Sequence, residues 1–138
     1  IDSPIADVTA DIINLPFNDN SFDVIFCNHV LEHVQDDTRA MKELFRVMKK
    51  GGMGIFQVPQ DLNRDVTFED NSITNPKERA KIFGQYDHVR VYGKDYFDKL
   101  RSIGFEVKEV NYSQKLSTET SSKYRLMEGE LLPVVFKN

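Results

Sequence analysis

The chain has 138 residues, of which 40% are hydrophobic and 29% charged, the balance of an ordinary globular domain. Its net charge of -4 argues against nucleic acid as a partner, and no apolar run is long enough to cross a bilayer. The first ten residues do not resemble a signal peptide, and Cys27 is the only cysteine. These features predict a cytoplasmic protein without an intrachain disulfide or a membrane partner.

Apolar runs of strand length occur at four places along the chain, in residues 21–28, 53–59, 105–112 and 131–136. The first is nearly continuous, which is typical of a strand covered on both faces in a parallel sheet. Pro133 indicates that the last strand lies at an edge or contains a bulge. Residues 113–125 are polar and predict a loop, so the last two strands are expected to form an antiparallel hairpin.

Residues 36–49 predict a helix because apolar side chains recur at three- and four-residue spacing. Asp36 or Asp37 would cap its start, and Gly51 would form the left-handed turn at its end. Two shorter helices are expected, one from Pro76 to a stop at Gly84 and the other over residues 94–103, closed by Gly104.

Strands and helices alternate, which predicts an open α/β sheet with parallel strands and an appended antiparallel hairpin. We expect a single domain over residues 1–138, with the mostly polar residues 60–93 as an insertion. In such sheets, ligands bind beyond the carboxyl ends of the strands. Asp11 and Ile12 follow "ADVTA", a short apolar stretch that is expected to form a further strand. Asn28 and His29 stand at the end of the strand over residues 21–28 in the same way.

His29, Glu32 and His33 spell H-x-x-E-H, a pattern found in one class of zinc peptidase. A zinc site of that kind needs both histidines on one helix face and a third ligand. Here His29 directly follows a strand, and the only other histidine, His88, lies more than fifty residues away. The sequence therefore predicts no metal, and the simpler alternative is a turn at the start of a helix.

An ordered set of short motifs runs through "ADIINLPFNDNSFDVIFCNHVLEHVQDDTRAMKELFRVMKKGG". An acidic residue is followed by Leu-Pro-Phe, Ser-Phe-Asp and a strand, then Glu-Leu-Phe-Arg-Val and Gly-Gly. This order resembles the class I S-adenosylmethionine-dependent methyltransferases, except that Lys50 replaces the usual proline before the glycine pair. The later stretches "DHVRVYG" and "YFDKLRSIGFEV" resemble one bacterial subgroup, so the resemblance covers nearly the whole chain. It implies a partial Rossmann-like sheet and S-adenosylmethionine as cofactor.

The resemblance also implies roles for individual residues. Asp11 would accept a hydrogen bond from the adenine amine, and the backbone N–H of Ile12 would contact an adenine ring nitrogen. Asn28 and His29 would line the methionine and sulfonium end, and Asp2 would bind the ribose hydroxyls. For Asp11, Asn28 and His29 the alternative from the residues themselves is a plain turn.

The implied function is methyl transfer to a small-molecule acceptor. An oxygen or nitrogen acceptor also needs a base, for which His29, His33 and His88 are the candidates. Tyr86, His88 and Arg90 form a polar and aromatic cluster in residues 60–93, the expected substrate side. Arg90 would hold an acidic substrate group, and the alternative for the whole cluster is an ordered surface loop with local hydrogen bonds.

The Gly-rich loop and first strand of the methyltransferase pattern are not found in this sequence, and "GGMG" at residues 51–54 precedes a strand rather than a helix. Without that strand, the strand over residues 21–28 would have one unpaired apolar edge, which predicts self-association or coverage by the N-terminal segment. The alternative function is a non-catalytic binding or interaction module. A metalloenzyme is the third possibility.

Overall fold

The computed structural model describes residues 6–138, which form a four-stranded sheet, a small two-stranded sheet and four α-helices. The strands of the larger sheet are β1 (Phe22–Phe26), β2 (Met48–Ile55), β5 (Glu106–Asn111) and β6 (Leu131–Phe136). The smaller sheet contains β3 (Phe68–Glu69) and β4 (Arg90–Val91). The helices are α1 (Asp37–Val47), α2 (Pro76–Phe83), α3 (Tyr96–Ile103) and α4 (Thr118–Lys123). Two 3-10 turns cover Leu31–His33 and Ser113–Lys115.

The larger sheet has the strand order β1-β2-β6-β5. β1 and β2 are parallel, whereas β6 is antiparallel to both of its neighbours. This arrangement confirms the predicted α/β sheet with parallel strands and a C-terminal antiparallel pair. The position predicted for Pro133 is wrong, because β6 is an interior strand with a regular register. The Pro133 carbonyl accepts from the Phe56 N–H at 3.2 Å, so the nitrogen of Pro133 also points toward β2. Because β2 ends at Ile55, the sheet does not need an N–H from Pro133 at this point.

Helix α1 begins as predicted but ends earlier. The Asp36 side chain caps it by accepting from the Arg39 N–H at 2.9 Å. The helix stops at Val47, because the buried ammonium of Lys137 binds the carbonyls at its C-terminal end. Gly51 does have a positive φ of 76°, but it lies inside β2, where the register with β1 is irregular.

The core lies between the sheet and helices α1 and α3. Its buried apolar residues include Leu31, Ala40, Met41, Leu44, Met48, Phe56, Tyr92, Tyr96, Leu100, Phe105 and Val135. The spacing of Ala40, Met41 and Leu44 confirms the apolar stripe predicted for α1. Helices α2 and α3 also match the sequence, since Asn75 caps α2 through the Lys77 N–H and the predicted glycines follow both helices.

Three further predicted features are wrong. Strand β1 is not covered on both faces, because Val24 and Phe26 are 47% and 67% exposed. Residues 6–10 form no strand, since no backbone ladder pairs with them within the described chain. Residues 113–125 are not a loop, because Ser117 accepts a hydrogen bond from the Thr120 N–H and starts α4. Among residues 6–138, no helix has the length and apolar character of a membrane span.

Candidate functional site

The predicted site begins where the parallel strands β1 and β2 end. The His29 N–H donates to the Gln57 carbonyl at 2.8 Å, and the Asn28 side-chain oxygen accepts from the Gln57 N–H at 3.2 Å. His29 has a positive φ of 55°, which a histidine adopts only where surrounding contacts hold it. These bonds tie the two strand ends together and fix the direction in which the chain leaves β1.

A cavity of about 440 Å³ opens beside this junction. His29 lines one wall, and the residues that follow β2 line another. The third wall is the segment before β6, which a 2.6 Å hydrogen bond from Gln57 to Glu130 holds in place. The other lining residues are Val58, Pro59, Gln60, Leu62, Met127, Glu128, Gly129 and Leu131. A crevice beyond the carboxyl ends of parallel strands is the usual ligand position in open α/β folds, and this volume suits a small molecule.

Asp11 and Ile12 lie in a tight turn before β1. The Asn14 N–H donates to the Asp11 carbonyl at 3.0 Å, and the Asp11 carboxylate accepts from the Ile13 N–H at 3.2 Å. Asp11 therefore does form the turn that was the alternative to its role in cofactor binding. The carboxylate is nevertheless exposed, and its acceptor positions are not all used by this one bond. The predicted ribose ligand, Asp2, lies outside the described residues.

The Glu-Leu-Phe-Arg-Val motif on α1 holds the Leu-Pro-Phe segment. Glu43 accepts from the Leu15 N–H at 2.9 Å, while Arg46 donates to the carbonyls of Leu15 and Phe17 at 3.1 and 2.8 Å. Glu43 and Arg46 also pair at 2.8 Å, and the hydrogen bond from Arg46 lowers the pKa of Glu43 to about 2. Two sequence motifs thus form one polar contact, which connects the turn containing Asp11 to α1.

The three histidines meet around Glu32. His29 Nδ1 lies 3.5 Å and His33 Nε2 lies 3.9 Å from the Glu32 Oε1 atom. The rings of His33 and His88 pack edge to face with centroids 4.7 Å apart. His88 is far from the other two histidines in the sequence, but the segment leading into β4 places it beside them. A hydrogen bond of 2.9 Å from the Val89 N–H to the Glu32 carbonyl holds this segment against the 3-10 turn.

Arg90 and Tyr86 lie in very different surroundings. The Arg90 guanidinium is 1% exposed and donates to the carbonyls of Leu31 and Gln35 at 2.9 and 2.8 Å, and to Val34. These contacts give Arg90 a role in holding the 3-10 turn, and its contact with an acidic substrate group stays a prediction. Tyr86 is 63% exposed, and its role on the substrate side also stays a prediction.

Cys27, at the end of β1, is buried, and burial raises the pKa of its thiol to about 12. A thiol with that pKa is almost entirely protonated at neutral pH and is a poor nucleophile. It therefore serves as a small apolar side chain in the core, as its position in an apolar run suggests.

Sequence reasoning missed two contributors to this region. Glu32 is 1% exposed, although a glutamate in a short turn ordinarily faces solvent. The cavity wall before β6 was also missed, because residues 127–131 have no motif and are separated from His29 by about a hundred residues. The one available signal for Glu32 was its position between two histidines.

The fold and the site at the ends of β1 and β2 define an α/β protein with a Rossmann-like sheet. Residues 2–56 match the family model described as "Methyltransferase domain". The chain is 34% identical over 116 residues to a 2-phytyl-1,4-naphtoquinone methyltransferase of Nostoc punctiforme, an alignment covering 75% of this chain and 50% of that protein. A demethylmenaquinone methyltransferase of Staphylococcus epidermidis is 50% identical over 46 residues, which are 33% of this chain and 19% of that protein.

Solved structures show the same fold. A 1,6-didemethyltoxoflavin-N1-methyltransferase of Burkholderia thailandensis, solved with S-adenosylhomocysteine, aligns with a TM-score of 0.58 and 14% identity over 95% of this chain and 50% of that one. A Thermotoga maritima protein described as an S-adenosylmethionine-dependent methyltransferase aligns with a TM-score of 0.55 and 24% identity, over 95% of this chain and 63% of that one. The family match places residues 2–56 in a methyltransferase domain, and the relatives support the resemblance to the class I S-adenosylmethionine-dependent methyltransferases. The chain spans half or less of the length of the two curated relatives above.

Proposed function

We propose that the protein transfers a methyl group from S-adenosylmethionine to a small-molecule acceptor. The observation that carries this proposal is the position of His29. It belongs to the strand end that the family uses for the methionine part of the cofactor, and it also lines the 440 Å³ cavity. A cofactor at that strand end would therefore present its methyl group toward a space of acceptor size. Two relatives whose names describe quinone-type substrates support a small, largely apolar acceptor.

The mechanism assigned to this site is a direct displacement at the sulfonium methyl. S-adenosylmethionine supplies the reactive methyl group, and the protein aligns the acceptor and excludes water. Asp11 and Ile12 would hold the adenine, and Asn28 with His29 would border the methionine end. His29 is also the best-placed base, since the Glu32 carboxylate lies 3.5 Å from its Nδ1 atom and would fix the tautomer with Nε2 free to accept a proton.

Titration of the chain with S-adenosylhomocysteine in a calorimeter tests the cofactor half of the proposal. We expect binding that Asp11→Ala weakens by roughly 10- to 100-fold, because a hydrogen bond to a charged group is worth about 1.5–3 kcal/mol. Asp98→Ala is the matched control, since Asp98 is an exposed aspartate on α3, outside the proposed site, and should leave the affinity unchanged. Equal affinities for the wild type and Asp11→Ala would contradict the assignment of Asp11, and a chain that binds no S-adenosylhomocysteine would contradict cofactor binding by these residues.

We also propose that the protein is cytoplasmic and self-associates through β1. Within residues 6–138, β1 has β2 as its one neighbour, and Phe26 is 67% exposed on its surface. Covering Phe26 would contribute about 2 kcal/mol to an interface, so Phe26→Lys should weaken self-association by roughly 30-fold in sedimentation experiments. Val66→Lys is the control, because Val66 is 69% exposed and lies outside the sheet. A wild-type chain that stays monomeric at high concentration would contradict the proposal.

A further inference from the structure

Glu32, His33 and His88 form a compact group of metal-ligand types. One potential ligand atom from each of the three side chains lies within 4.8 Å of the others. Glu32 and His88 are buried, whereas the His33 side chain is 30% exposed. The group is therefore enclosed on the side of the core and open on the side of His33.

Glu32 lacks the hydrogen bonds that a buried carboxylate needs. Its Oε2 atom is inaccessible to solvent and has no hydrogen-bond partner among residues 6–138. Leaving such an atom unpaired is unfavourable, the more so for a charged group, and native proteins rarely do so without a reason. A cation bound by the Glu32 carboxylate would compensate the charge of this buried group.

The two histidines have the outer contacts that metal-bound histidines typically make. His33 Nδ1 lies 3.3 Å from the Asp87 carboxylate, and His88 Nδ1 lies 3.2 Å from the Phe83 carbonyl oxygen. An Nδ1–H that donates to an oxygen leaves Nε2 unprotonated and available as a ligand. His33 Nε2 is also the atom that lies 3.9 Å from Glu32.

We propose that Glu32, His33 and His88 bind one divalent transition-metal ion, with Zn²⁺ as the best match. Two imidazoles and one carboxylate are a typical three-residue zinc set, and they leave one coordination position for water or another ligand. Mg²⁺ and Ca²⁺ fit less well, because they prefer oxygen ligands. Zinc ligands at ~2.1 Å from the metal lie roughly 3.4 Å apart, so the three side chains must move closer together by about 1 Å on binding.

The proposed site differs from the one that H-x-x-E-H indicates in the sequence. That pattern would use His29 and His33, whereas the structure groups His33 with His88. His29 is 60% exposed on its side chain and lines the cavity instead. A metal on Glu32, His33 and His88 would join the turn after β1 to the segment leading into β4. His29, which lines the proposed acceptor pocket, precedes Glu32 in the same turn.

Zinc binding to the metal-free chain, measured by calorimetry and by elemental analysis after dialysis, tests the proposal without any cofactor. We expect one equivalent of Zn²⁺ per chain. His88→Ala should weaken the affinity on the order of 100-fold or more, whereas His29→Ala should change it by less than about 10-fold. Loss of binding in His29→Ala with full binding in His88→Ala would overturn the proposal, as would equal binding in all three proteins.

Asp87→Asn provides a second variant that does not depend on the buried residues. Asp87 is 41% exposed on its side chain, so the substitution should leave the fold intact. Because Asp87 would orient His33, the variant should bind Zn²⁺ with roughly 10- to 100-fold lower affinity. Co²⁺ should give the intense visible absorption of a four-coordinate site in the wild type. An Asp87→Asn variant with unchanged Zn²⁺ affinity, or a weak six-coordinate Co²⁺ spectrum in the wild type, would overturn the proposal.

Discussion

Replacing Arg90 by methionine lowers the free energy of unfolding by about 3–5 kcal/mol, the cost of removing one partner from a buried ionic network. The guanidinium is 1% exposed, and it donates to Glu69 at 3.1 Å in addition to three carbonyls in and directly after the 3-10 turn. It also lies 3.6 Å from Asp37, which keeps Lys99 and Tyr92 as partners. The Leu31 carbonyl keeps the Val34 N–H and the Tyr92 hydroxyl as donors. The carbonyls of Val34 and Gln35 lose the donor that Arg90 supplies, so the variant leaves these acceptors without it.

Urea unfolding of the variant checks this expectation, with Arg101→Met as the matched control. Arg101 also makes two ion pairs, to Asp98 at 2.8 Å and to Glu109 at 2.6 Å, but its side chain is 42% exposed. Exposed pairs contribute little, so Arg101→Met should cost less than about 1 kcal/mol. If the two variants lose similar amounts of unfolding free energy, the burial of Arg90 does not determine how much it stabilises the fold.

Arg90 illustrates what the sequence can and cannot predict. An arginine among tyrosines and a histidine in a polar segment has the composition of a substrate-binding loop, and nothing local indicates burial. Its partners are carbonyls of a turn more than fifty residues earlier in the chain. Backbone acceptors have no sequence signature, so residue type left a substrate contact and an exposed surface loop as alternatives and did not indicate the buried structural role of Arg90.

The successful predictions depend on short-range patterns. The start of α1, the cap of α2 and the glycines after α2 and α3 each follow from neighbouring residues, and the structure has all of them. The end of α1 does not, because Lys137 binds its terminal carbonyls from ninety residues away. The candidate site follows the same rule. The strand end at Asn28 and His29 could be predicted from neighbouring residues, whereas the cavity wall before β6 is distant in sequence and was not predicted.

The grouping of the histidines follows the same rule. The sequence places His29 and His33 together and leaves His88 apart, and the prediction of no metal depended on that separation. The fold adds His88 to this group, because His88 packs on His33, while His29 lies beside Glu32 and also lines the cavity. The topology of the fold, rather than spacing along the chain, therefore decides which histidines can contribute to one site.

The second large effect is expected at Gly54, where β1 and β2 approach each other closely. A Cβ atom at this position would lie 2.8 Å from the Ile25 carbonyl oxygen and 2.7 Å from the Phe56 ring. The ring can move, but the carbonyl belongs to the backbone of the paired strand. Gly54→Val should therefore cost at least about 3 kcal/mol, at the upper end of the range for overpacking. Since the pairing of these strands positions Asn28 and His29, S-adenosylhomocysteine binding should weaken as well.

Gly84→Ala is the control for Gly54→Val, because it introduces backbone strain without a steric clash. Gly84 has a positive φ of 90°, but within the described chain no heavy atom beyond its chain neighbours lies within 4 Å of a Cβ placed there. The alanine variant should lose about 1–2 kcal/mol from its left-handed backbone and keep full S-adenosylhomocysteine affinity, because α2 lies outside the strand junction. Urea unfolding and calorimetry on the two variants give the comparison. If Gly54→Val costs no more than Gly84→Ala and binds S-adenosylhomocysteine as well, the close approach of β1 and β2 is not required, and the position of His29 must be set by its own bonds to Gln57.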